Sequence, residues 1–73
     1  MRQRDAEAAI KVFRLNVEAH PASSNVYDSL GEAYMNHGDT ELALKNYEKS
    51  LELDPNSTRA AEAIKKLQRQ KAP

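Results

Sequence analysis

The chain has 73 residues, no cysteine, and 11 basic against 11 acidic side chains. A chain this short is at most one domain and buries only about 60% of its unfolded surface; without cysteine, neither disulfides nor thiolate metal sites supplement its thin core. No apolar run approaches the roughly 20 residues of a membrane span, and the opening MRQRDAEAA lacks the apolar core of a signal peptide, so a soluble, cytoplasmic protein is expected.

In chain order, the first helix is expected from about Ala6 to Ala19, with Asp5 as N-cap and Ala9, Ile10, Phe13 and Val17 as its buried stripe. The second runs from about Asn25 to His37, behind Ser23 or Ser24 as cap, and Gly38 ends it. The third spans about Thr40 to Leu53, capped by Asp39, with Ala43, Leu44, Tyr47 and Leu51 inward. The fourth starts near Thr58 behind Ser57. No segment alternates as a strand does, so the fold class is all-α. Gly31 falls inside the second helix, where glycine costs roughly 1 kcal/mol relative to alanine. Its place beside Tyr27, Leu30 and Tyr34 gives a reason: small residues at Gly31 and Ala43 let two antiparallel helices approach closely, with Tyr27 and Tyr47 filling the space beside them.

The neutral total hides an asymmetry. Residues 1–57 carry 6 Lys/Arg against 10 Asp/Glu, a net −4, and residues 58–73 carry 5 against 1, a net +4. The basic tail, with Lys65, Lys66, Arg69 and Lys71, has no aromatic residue for base stacking and no large apolar face for insertion. It reads as a solvated helix end whose cations suit the helix dipole; neither nucleic acid nor a membrane is an expected partner.

Two proline-centred breaks, AHPASSN and LDPNSTR, lie 34 residues apart. Laying residues 1–23 over 35–57 gives identities at Met1/Met35, Asp5/Asp39, Glu7/Glu41, Ala9/Ala43, Lys11/Lys45, Glu18/Glu52, Pro21/Pro55 and Ser23/Ser57. That offset is the mark of an internal repeat.

Tyr27-x2-Leu30-Gly31-x2-Tyr34, Ala43-x3-Tyr47 and Pro55 resemble the tetratricopeptide repeat, a 34-residue helix-turn-helix with the pattern W-x2-L-G-x2-Y, A-x3-F, P. The resemblance implies a complete repeat over 24–57. It makes residues 1–23 the second helix of a preceding repeat, through Ala9-x3-Phe13 and Pro21. Residues 58–73 look like a C-terminal capping helix, because Ala61, Lys65 and Gln68 replace the aromatic, the glycine and the tyrosine. Together these form a four-helix fragment of an α-solenoid. The chain also looks like repeat segments at the C-terminal ends of larger bacterial proteins, some of them serine hydrolases.

No catalytic constellation is present, and no cofactor or metal is expected. His20 and His37 sit at helix exits and read as exposed loop residues; His37-x-Asp39 supplies too few ligands for a closed metal site. The remaining serines read as caps or helix positions without a histidine nearby, and neither glycine belongs to a phosphate loop. An enzyme is not expected.

Binding must then come from surfaces. Asn25, Asp28, Ser29, Glu32 and Asn36 form a polar stripe on the second helix, and Arg59, Glu62, Lys66, Arg69 and Gln70 flank it from the fourth. The resemblance implies that this face lines a concave groove for a protein partner, either an extended peptide or a helix. The acidic and basic ridges suit a mixed-charge segment, or simply pair with each other. Asp28 and Glu32 are expected to repel the C-terminal carboxylate that some family members hold. The other function class is a structural or oligomerisation appendage of a larger protein, with no peptide ligand. On the first helix, Ala8, Val12, Leu15 and Ala19 make a second apolar stripe where the third helix has Asn46 and Lys49, and a homodimer through Val12 and Leu15 is expected.

Overall fold

A computed structural model of the chain describes residues 3–71. Among the described residues it is built of four helices and no strand: α1 (Gln3–Ala19), α2 (Ser24–His37), α3 (Thr40–Leu53) and α4 (Thr58–Lys71). Each helix packs on the one before it, α1 on α2, α2 on α3 and α3 on α4. The resulting slab measures 33 × 29 × 15 Å. A thickness of 15 Å leaves room for little more than one helix and its side chains, so every helix keeps an outward face.

The core lies in two clusters. Ile10, Leu30 and Ala33 join α1 to α2, supported by Ala9, Phe13 and Val17. Ala43, Leu44, Tyr47, Ala60 and Leu67 join α3 to α4. Tyr34 packs against both. The contact of α2 with α3 explains the mid-helix glycine: a Cβ on Gly31 would lie 3.0 Å from the Tyr47 ring. The Tyr47 ring lies against the glycine and fills the space beside it. Tyr27 is half-buried and Pro55 is exposed, so Pro55 shapes its turn and contributes little packing.

The connections follow from local chemistry. Gly38 adopts φ +91° and ends α2, its N–H bonding the Met35 carbonyl at 3.1 Å while Asp39 N–H reaches the Tyr34 carbonyl at 2.9 Å. This paired closure is the Schellman arrangement, which needs the left-handed residue glycine tolerates best. The two proline loops close alike, Ser23 N–H to the His20 carbonyl at 3.1 Å and Ser57 N–H to the Asp54 carbonyl at 3.0 Å.

Capping departs from expectation. Asp5 lies inside α1, because nothing in Gln3 or Arg4 breaks a helix. Ser23 precedes α2 without a side-chain capping bond. Asp39 precedes α3, but its carboxylate turns back to His37 Nδ1 at 2.9 Å. His37 ends α2 and is partly buried, not an exposed loop residue. Ser57 does cap α4, its Oγ accepting from Ala60 N–H at 3.2 Å.

Candidate partner-binding face

The polar stripe of α2 divides into three fates. Asn25 is exposed at the start of the helix. Asp28 is 6% exposed and accepts a 2.7 Å hydrogen bond from Ser50 Oγ. The same hydroxyl lies 3.0 Å from the Ser24 carbonyl; it has one proton, and the shorter, charge-assisted bond goes to the carboxylate. Asp28 is therefore a buried tie between α2 and α3, which corrects its assignment to the groove. The sequence signal was Ser50 itself, seven residues after Ala43 on the inward side of α3, where a polar side chain needs a partner.

Ser29, Glu32 and Asn36 do come together. With Ala9 and Phe13 of α1, Ala33 of α2 and Arg59 of α4, they line an open cleft of about 220 Å³. Arg59 Nη2 donates to Glu32 Oε2 at 3.0 Å, tying α4 to α2 across the mouth. With the side chains 70% and 48% exposed, this pair adds at most about 1 kcal/mol. Its ions remain available to exchange partners. Glu62, Lys66, Arg69 and Gln70 are exposed farther along α4 and do not line the cleft. The floor residues Ala9, Phe13 and Ala33 are hidden from a sequence reading of the site because their spacing marks them as packing residues; Ala9 and Phe13 are only half-buried and serve both purposes.

Tyr47 stands behind this face. Burial, then the carboxylates of Glu32 and Asp28, push its phenol up to about 12, while Arg59 pulls the other way. The phenol stays neutral at physiological pH. Among the described residues no cluster of three His, Asp or Glu side chains could hold a metal ion, and no helix is long and apolar enough to cross a membrane.

On the far side of α1, Val12 is 55% and Leu15 64% exposed, with Ala8 and Ala19 exposed beside them.

Residues 24–57, which hold α2 and α3, match the family model "Tetratricopeptide repeat". Residues 24–57 are a tetratricopeptide repeat. Similar segments occur in superkiller complex protein 3 of mouse, 40% identical over 50 residues, covering 68% of this chain and 3% of that protein. Cellulose synthase operon protein C of Escherichia coli K12 is 42% identical over 53 residues, covering 73% and 5%. Heat shock protein STI1 of Saccharomyces cerevisiae is 38% identical over 53 residues, covering 73% and 9%. The chain spans less than a tenth of the length of each. Tetratricopeptide repeats generally mediate protein–protein interaction and are typically non-catalytic.

Proposed function

We propose that this chain is a non-catalytic binding module that receives a protein segment in the cleft between α1, α2 and α4. The observation that carries the reading is the composition of that cleft: an apolar floor of Ala9, Phe13 and Ala33, with Ser29, Asn36 and the Glu32–Arg59 pair at its edge. Such a site buries an apolar side chain and orients the backbone around it through a few polar groups. The exposed ion pair suits a segment carrying a basic residue for Glu32 and an acidic one for Arg59. A purely acidic C-terminal peptide fits it poorly, since Glu32 then faces a like charge.

The test is panning of a random-peptide display library against the chain and against a Glu32→Arg, Arg59→Glu variant. The double change keeps the internal ion pair and the fold while reversing the polarity of the site. Selected peptides carrying both charges around an apolar residue, and losing about tenfold or more in affinity for the reversed variant, support the reading. Absence of binders, or binders indifferent to the reversal and to Phe13→Ala, overturns it.

A further inference from the structure

The inward side of α1 packs on α2 through Ile10 and Val17, and Ala6 is fully buried. Its opposite side carries Ala8, Val12, Leu15 and Ala19, all exposed. The equivalent side of α3 is polar in its middle and satisfied internally. There, Asn46 Nδ2 donates to the Leu42 carbonyl at 2.8 Å and Lys49 pairs with Glu52 at 3.5 Å. Among the described residues nothing covers Val12 and Leu15.

The apolar stripe of α1 advances by four, three and four residues, so it reads the same in both directions. Its centre falls midway between Phe13 and Arg14. Turned end for end about that point, the stripe meets itself: Ala8 faces Ala19 of the second copy, and Val12 faces its Leu15. The charges nearest the stripe on one flank obey the same symmetry, with Arg14 set farther round the helix. Lys11 and Glu18 are exposed on one flank of the stripe, seven residues apart. At about 1.5 Å rise per residue, an antiparallel pairing sets Lys11 about 3 Å along the axis from the second copy's Glu18, twice by symmetry. The two lysines are then about 7 Å apart along the axis and the two glutamates about 13 Å. A parallel pairing sets both charges against the other flank, whose residues level with them, Ala9 and Asn16, are uncharged; the acid on that flank, Asp5, lies about 9 Å along the axis from Lys11.

We propose that the outer face of α1 binds a second copy of this chain, antiparallel, with Val12 against Leu15 and Lys11 beside Glu18. The inference is independent of the cleft, which lies on the Ala9–Phe13 flank; a dimer built this way leaves both clefts open and presents them together, which raises avidity for a partner with two segments. One 17-residue helix gives a contact at the small end of specific interfaces, and a dissociation constant of about 10–100 µM is expected.

Sedimentation equilibrium of the 73-residue chain, from about 10 to 500 µM, tests it, with far-UV circular dichroism to confirm that each variant keeps its helices. Wild type should dimerise, and the Val12→Lys, Leu15→Glu variant should be monomeric throughout. Lys11→Glu alone and Glu18→Lys alone should each weaken the dimer about tenfold, and their combination should return it to within about threefold of wild type. Because the chain has no cysteine, oxidising a mixture of Ala8→Cys and Ala19→Cys proteins reads the register directly. The mixed disulfide, which joins one protein of each kind, should dominate over either like pair. A wild type monomeric at about 500 µM, a dimer insensitive to the apolar substitutions, a charge reversal without rescue, or dominant like-pair cross-links would each overturn the proposal.

Discussion

Helices α1 and α3 carry similar side-chain patterns in different company. They share the 34-residue offset, eight identities over the aligned span and the same closure of the following proline loop. Yet Ala43 and Tyr47 are buried while their counterparts Ala9 and Phe13 are only half-buried. The difference is a neighbour: α3 lies between α2 and α4, whereas among the described residues the close packing of α1 is with α2. Burial in a stack of repeats belongs to the interface between elements, and the same side-chain pattern yields a closed core in one place and the floor of an open cleft in the other.

The largest consequence is in stability. Tyr47→Ala should cost about 3–5 kcal/mol and leave a domain of this size mostly unfolded, whereas Phe13→Ala should cost about half as much. Urea denaturation followed by circular dichroism checks both, and equal losses would break the comparison.

Alkaline titration separates the pair in another way. The folded chain holds the Tyr47 proton more tightly than the unfolded chain, where a phenol titrates near 10, so the associated stability is complete below pH 10. It is lost as pH rises toward about 12. Tyr47→Phe, which makes α3 resemble α1 at this position, should flatten that part of the stability–pH curve measured between pH 9 and about 12.

The next contrast is polar. Ser50→Ala removes the donor to the buried Asp28 carboxylate and should cost about 1–3 kcal/mol. Asn16→Ala, at the equivalent but exposed position, should stay within about 0.5 kcal/mol. Thermal melts of the two variants side by side give the answer. The smallest effect concerns the caps. Ser57→Ala should lose about 1 kcal/mol with its bond to Ala60, and Ser23→Ala, which forfeits no such bond, only a few tenths.

Helix type, order and the limits of α3 were legible in the sequence because apolar spacing, proline and glycine act locally. The role of Gly31 was legible as well, since a glycine held in mid-helix at a propensity cost, opposite an aromatic residue, points to a close approach of helices. Capping was not. Ser23, Asp39 and Ser57 occupy the same kind of position, but whether a side chain turns to the backbone depends on competitors such as His37, which draws Asp39 away. Asp28 was misplaced for a related reason: periodicity puts it on the polar stripe, and only the antiparallel approach of α3 brings Ser50 to it. The cleft was half legible. Its polar edge follows from the stripe of α2, but its apolar floor emerges only because Ala9 and Phe13 stay half-buried among the described residues.

Entry of a partner on the Phe13 side of α1 can be followed directly by amide chemical shifts of the isotopically labelled chain, recorded as a library-selected peptide is added. Saturable shifts should concentrate at Phe13, Ser29, Ala33 and Asn36, with the Arg59 side-chain resonance moving in step. Shifts confined to Val12, Leu15 and the outer face of α1, or spread without saturation over the basic end of α4, would contradict binding in the cleft.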